Sequence, residues 1–403
     1  MILRKCVRKK GKVVLGRLKG QSIARRDFIR LTVGCGACLG LAIVVHRFQE
    51  KSSPNLTQQN SEQNSTLVEA RYYHTIDEKT VQCDLCFRRC RITIGGRGYC
   101  KVRENVEGKL YTLVYSRPCA ITVGSPIEKL PLYHVHPGAR RLNLATAGCN
   151  FKCIFCINWQ FAVKTPEDVM SYNLTPQEAI RTAVANNLEF ISFTYTEPTV
   201  FYEYMYDISK LAKEKGLKTV FHTNGSMNLE PLKKLLKYID AVAVDLKAFT
   251  AEFYRSTSFS ELTPVLETLK TIHNEGVWME IVNLIIPTLN DNMENIREMC
   301  IWIRDNLGVE VPIHFNRFQP AYKLTNLPPT PVKTLEKARE IALQTGIEYV
   351  TIGNVPGHEA NSTRCPRCGE TIIKRTHFTV HQVNIRDGRC RNCGHKIPGI
   401  WGG

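Results

Sequence analysis

The chain has 403 residues, 43% hydrophobic and 23% charged, enough for one large folded domain with small attachments. Its net charge of +17 invites a nucleic-acid reading, but residues 1–51 hold thirteen Lys and Arg against Asp27 and Glu50, so most of the excess precedes the folded part and the rest is ordinary for a soluble enzyme. Sixteen cysteines in a chain of this size, many in pairs two residues apart, argue against a disulfide framework and for metal ligands.

The N-terminus reads as an address. ARRDFIR at 24–30 is followed by the apolar run LTVGCGACLGLAIVV, which resembles a twin-arginine export signal. The run is shorter than the roughly twenty residues of a spanning helix, and no small-x-small cleavage site follows Val45. Residues 1–48 are therefore expected to be a signal or membrane anchor, making the protein membrane-associated or exported, and cytoplasmic if this leader is not functional. Residues 49–66, polar and low in complexity, are a flexible linker.

Residues 67–138 are expected to form an N-terminal four-cysteine module. Cys83, Cys86, Cys90 and Cys100 could bind zinc or an auxiliary iron–sulfur cluster, and GGRG before Cys100 permits a tight return to the site. His134 and His136 are candidate extra ligands, although a structural role fits both better.

From about 139 to 356 apolar strand-like runs alternate with amphipathic helices. LTPQEAIRTAVANN carries a capping box, with Thr175 at the N-cap and Glu178 three residues on. AVAV and VNLII read as strands buried on both faces. Six or seven such units with right-handed crossovers predict an α/β fold, an incomplete parallel (β/α) barrel. The strand exits carry Cys149, Glu197, Asn224, Asp245, Lys247, Asn283, His314, Asn316 and Asn354, a polar set hard to explain as packing.

AGCNFKCIFCINW at 147–159 follows the first barrel strand and places Cys149, Cys153 and Cys156 within eight positions. A cubane iron–sulfur cluster has four irons, so three thiolates leave one iron open. S-adenosylmethionine has the amine and carboxylate needed to chelate that iron. Further along, Cys365, Cys368, Cys390 and Cys393 form two knuckles, each followed by glycine, in a segment of strand-like alternation. Residues 357–403 are expected to be a zinc-ribbon or rubredoxin-like module with a closed structural site, zinc being favoured over iron. Cys119 and Cys300 read as ordinary core residues.

CxxxCxxC with Phe155 before the last cysteine is similar to the radical SAM signature. From about 80 onward the chain resembles the AmmeMemoRadiSam system radical SAM enzymes, relatives of pyruvate formate-lyase activating enzymes, through CDLCFRRCRITIGGRGYCKVREN, SPIEKLPLYHVHPG, TAGCNFKCIFCINW, TYTEPTVFYEY, VDLKAF, LIIPTLND and YVTIGN. The resemblance implies that Cys149, Cys153 and Cys156 ligate a [4Fe-4S] cluster and that Thr194 to Glu197 meet the methionine amino group of S-adenosyl-L-methionine. It also implies cofactor contacts for Asn224, Asp245 and Lys247, and an adenine border formed by Asn283, Ile285 and Ile286. Thr196, Ile157 and Ser125 stand where the family pattern has Asn, Gln and Asp.

The function so implied is reductive cleavage of S-adenosylmethionine to a 5′-deoxyadenosyl radical, which abstracts hydrogen from an unknown substrate, a protein or a small molecule. A low-potential electron donor is required, and Memo-type and AMMECR1-type proteins are implied as functional company. The competing classes are a membrane-tethered multi-metal electron carrier and a nucleic-acid modifying protein.

Overall fold

The near-continuous apolar runs of the central region become strands of one eight-stranded sheet. The structure, a computed structural model, describes residues 67–402. The strands are β1 (Ala120–Pro126), β2 (Arg140–Ala145), β3 (Phe190–Phe193), β4 (Lys218–Thr223), β5 (Ala241–Asp245), β6 (Trp278–Ile285), β7 (Ile313–Arg317) and β8 (Val350–Gly353). They lie side by side in chain order, β1 antiparallel to β2 and β2 to β8 mutually parallel. Among the described residues no pairing joins β1 to β8, so the barrel stays open. The antiparallel β1, from AITVGSP, is a strand the repeating pattern did not announce.

Six helices cross between the parallel strands: α1 (Pro176–Ala185), α2 (Tyr202–Glu214), α3 (Leu229–Leu236), α4 (Thr263–Asn274), α5 (Met293–Leu307) and α6 (Val332–Gln344). The start of α1 is the capping box read from the sequence, with Glu178 N–H donating to Thr175 Oγ1 and Thr175 N–H to the Glu178 carboxylate. Outward strand residues such as Phe193, Val242, Val244 and Ile281 pack on Leu232, Leu269 and Ile303 of the helix layer. Inward residues alternate with them, as the period of two requires.

The lower interior of the barrel is closed by the segment 127–139. Ile127, Leu130, Leu132 and Val135 pack on Phe190, Val220, Ala243 and Val282. Fully buried Glu280 of β6 ties this plug down, accepting from the amides of Tyr133 and His134 at 2.8 Å each, from Trp278 Nε1 at 3.1 Å and from His314 Nε2 at 2.7 Å. Burial alone would raise its pKa, but the hydrogen bond and charge of His314, with its other donors, hold the carboxyl at about 2.

Two further regions sit against the barrel. Residues 67–112 form two three-stranded antiparallel sheets. Residues 363–390 form short antiparallel strands whose buried Arg375 reaches the plug, donating to Tyr133 O at 2.5 Å and to Thr363 Oγ1 at 2.8 Å. No described helix is long and apolar enough to cross a membrane, and the twin-arginine-like stretch lies outside the described residues.

Replacing Glu280 by alanine strips three buried donors and the partly buried Trp278 Nε1 of their acceptor. Urea denaturation of Glu280→Ala is expected to show a loss of about 3 to 5 kcal/mol. A loss below about 1 kcal/mol would mean that the plug is held by apolar packing alone.

Candidate active site

The loop leaving β2 carries the three cysteines, and its geometry begins at Gly148. This residue has φ +91°, and a Cβ on it would meet Cys100 O at 2.7 Å and Val102 Cγ1 at 2.6 Å, so the backbone passes where only glycine fits. Cys149, Cys153 and Cys156 all line a cleft of about 270 Å³ at the carboxyl ends of the strands. Phe155, between the last two, is buried and packs on Phe253 with ring centroids 6.0 Å apart, anchoring the loop. The Phe151 amide lies 3.3 Å from Cys149 Sγ, and Asn224 Nδ2 lies 4.0 Å from it. Burial pushes all three thiols up, Cys156 to about 11, so a ligand that takes the protons' place is needed to make them thiolates at neutral pH.

Glu197 closes β3. Its Oε1 accepts from Thr199 N–H at 3.0 Å, Thr199 Oγ1 at 2.6 Å and Thr223 Oγ1 at 2.7 Å, while Oε2 accepts from Asn224 N–H at 2.7 Å. The carboxylate therefore caps the short helical turn Pro198–Phe201 and pins the exit of β4, leaving acceptor capacity on Oε2 alone. Asn224 extends the network, donating to Asn150 Oδ1 at 2.8 Å and accepting from Ser226 Oγ at 2.6 Å. Thr194 lines the same cleft.

The opposite wall is charged. Asp245 Oδ2 accepts from Lys247 Nζ at 2.7 Å, and Oδ1 from His222 Nε2 at 2.9 Å. Burial would raise the Asp245 carboxyl, but Lys247 and His222 outweigh it and hold it well below the usual range; burial would lower Lys247, and Asp245 raises it instead. Both stay ionised throughout the neutral range.

Asn316 and Asn354 also face the cleft, whereas Asn283, Ile285, Ile286 and His314 do not line it. Asn283 donates to Leu246 O at 2.7 Å and lies 3.6 Å from Met299 Sδ, on the helix side of β6, because Val282 and Leu284 take the inward positions. His314 faces inward but in the lower layer, held by Glu280 and by Thr351 Oγ1 at 2.6 Å. His222 and Arg317 are cleft residues the motif reading missed. His222 stands two positions before Asn224 on β4, so strand alternation alone points to it.

The two four-cysteine sets lie outside the cleft. Cys365, Cys368, Cys390 and Cys393 bring all four sulfurs within 4.8 Å of one another, a group able to hold a metal ion. Cys83, Cys86, Cys90 and Cys100 line one smaller cavity behind the cleft loop. His134 and His136 join neither set: His134 Nδ1 meets Pro398 O and His136 Nδ1 meets Glu189 Oε2, each at 2.8 Å. Cys119 and Cys300 are buried.

Three inward cysteines at one strand exit, facing a polar-walled cleft, fit a cluster with one open iron and a chelating ligand beside it. The Radical SAM superfamily model matches residues 143–300. The protein MJ0808 of Methanocaldococcus jannaschii is 45% identical over 331 residues, 82% of this chain and 98% of the relative. The chain belongs to the radical SAM superfamily and to one family with that protein, and such membership implies a [4Fe-4S] cluster and S-adenosylmethionine as its cofactors. The pyruvate formate-lyase-activating enzyme of Clostridium pasteurianum is 28% identical over 210 residues, 47% of this chain and 84% of that enzyme. A crystal structure of a radical SAM methyltransferase from Sphaerobacter thermophilus aligns with a TM-score of 0.43 and 16% identity over 71% of this chain and 76% of its own.

The Asp245–Lys247 pair offers a direct check on the charged wall. Lys247→Met is expected to destabilise the protein by about 2 kcal/mol at pH 7, because a mostly buried carboxylate loses its cation, and Asp245→Asn with Lys247→Met is expected to recover most of that loss. Additive losses in the double variant would show that the two side chains act independently.

Proposed function

We propose that the protein is an activating-enzyme-like radical SAM enzyme acting on a protein or peptide substrate. The observation that carries this is the cysteine triad at the β2 exit, facing a cleft whose far wall is the Asp245–Lys247–His222 cluster. With a four-iron cluster held by Cys149, Cys153 and Cys156 and S-adenosylmethionine beside it, such a site would supply the one-electron reductive cleavage of the sulfonium that makes a hydrogen atom of the substrate abstractable.

The chain's own residues bind and orient. Cys149, Cys153 and Cys156 hold the cluster. The N–H groups of Phe151 and Asn224 near Cys149 Sγ offset its negative charge. Oε2 of Glu197 and the neighbouring Thr194 are the acceptors within the cleft for an ammonium group, and Asp245 with Lys247 supplies fixed charges of both signs for the polar end of the cofactor. The sequence likeness to an activating enzyme supports a polypeptide substrate, such as a glycyl-radical partner. A low-potential one-electron donor supplies the cluster. Function within the AmmeMemoRadiSam system, beside Memo-type and AMMECR1-type proteins, and membrane association through residues 1–48 complete this reading.

For the C-terminal set we propose zinc. Cys365 and Cys393 sulfurs are 3.7 Å apart and Cys368 and Cys390 sulfurs 3.8 Å. The edge of a ZnS4 tetrahedron with Zn–S bonds of about 2.3 Å is about 3.8 Å.

The test is anaerobic. After reconstitution with iron and sulfide and reduction by dithionite, the protein is expected to convert S-adenosylmethionine to 5′-deoxyadenosine, and Cys153→Ala to lower the yield at least about a hundredfold, since the cluster is lost. A cluster that forms without binding S-adenosylmethionine would overturn the enzyme reading in favour of an electron carrier.

A further inference from the structure

We propose that Cys83, Cys86, Cys90 and Cys100 hold a second four-iron cluster, seated directly behind the cleft triad. The four residues arrive from separate places: Cys83 ends the strand Thr80–Cys83, Cys86 bridges to Met227, and Cys90 and Cys100 flank the strand Arg91–Thr93 and the glycine turn after it. They converge on one cavity, which they line together with Arg103 and Asn150. At Gly98 a Cβ would stand 3.8 Å from both Cys90 Sγ and Cys100 Sγ, so glycine keeps that wall of the cavity open.

The C-terminal set draws its four sulfurs to within 4.8 Å of one another, and no other group of three or more such ligand atoms among the described residues is as close. The N-terminal cysteines are not among such close groups and instead line a shared cavity, whereas the ligands of a tetrahedral zinc sit about 3.8 Å apart. A cubane binds its four thiolates at four separate irons, which sets them farther apart and fills the space between.

The surroundings suit a buried anionic cluster. Arg103 is 1% exposed, places Nη1 3.6 Å from Cys83 Sγ, pairs with Glu203, and its Nε has no protein partner. The Tyr99 amide lies 3.5 Å from Cys90 Sγ. A buried cation and N–H donors to sulfur are the groups that stabilise the charge of an iron–sulfur centre.

The two cysteine sites are neighbours. Asn150 lines the rear cavity, directly follows Cys149 in the chain, and accepts from Asn224, which also approaches Cys149 Sγ. Gly148 abuts the carbonyl of Cys100. A cluster there backs onto the cleft and, through half-exposed Tyr99 and partly exposed Cys90, reaches towards the surface, a position from which single electrons can pass inward. The second cluster stands on its own residues and does not rest on the catalytic reading.

The experiment uses the full chain, purified anaerobically, with iron, acid-labile sulfide and zinc counted in the wild type and in Cys149→Ala/Cys153→Ala/Cys156→Ala. The wild type is expected to hold about eight irons and one zinc, and the triple variant about four irons, four sulfides and one zinc, with a reducible cluster signal in electron paramagnetic resonance. The reduced wild type should show spin–spin broadening that the triple variant lacks. Two zincs and no iron in the triple variant, or iron lost altogether with the rear site empty, would overturn the proposal. Four irons in both proteins would instead leave the second cluster standing and sink the cleft reading.

Discussion

The carboxylate of Glu197 is the constraint on which the mouth of the barrel depends. Buried and surrounded by four donors, it locks the exit of β3 to the exit of β4. Through the Asn224 amide it also fixes the side chain that reaches Asn150 and approaches Cys149. Without it the loop bearing the cysteines would lose a wall that is held by hydrogen bonds. Burial raises the Glu197 carboxyl, and the amide of Asn224 and the Thr199 and Thr223 hydroxyls are what make its charged form tolerable there.

The interior of the sheet is layered by charge. At the base Glu280 is hydrogen-bonded to His314, and Arg375 lies 3.8 Å from Glu128, a closed charged set under the plug in which Glu128 Oε2 and Arg375 Nε have no hydrogen-bond partner. In the middle Ala243 and Val282 are apolar. At the mouth Asp245, Lys247 and His222 form a second set beside open space. Similar residue types thus serve support at one end of the barrel and leave charges facing a ligand at the other. Buried polar groups of the first kind confer a unique seating of the plug, and those of the second kind hold their orientation before any ligand arrives.

Much of this was legible in the chain. The capping box at Thr175 and Glu178, the doubly buried runs of β5 and β6, and the spacing of Cys149, Cys153 and Cys156 are local patterns governed by periodicity and ligand chemistry, and each stands where the sequence puts it. Two strand-exit residues behaved otherwise. The resemblance implies an adenine contact for Asn283, yet its register turns it to the helix layer, where Met299 meets it. His314 belongs to the polar strand-exit set and lies one layer too deep to face the cleft. Distance from a strand end does not report depth, since neighbouring strands are staggered.

Residue order alone determined the alternation of strand and helix, the open parallel barrel, and the presence of three cysteine sets with too few or enough ligands for their sites, because these follow from periodicity and from counting thiolates. Only the tertiary structure decided how each set is gathered and what it touches. How remote segments converge fixes this: the C-terminal knuckles bring four sulfurs within 4.8 Å of one another, while the N-terminal four line a cavity that shares Asn150 with the cleft loop. Such convergence is set by packing across tens of residues, which spacing along the chain does not encode.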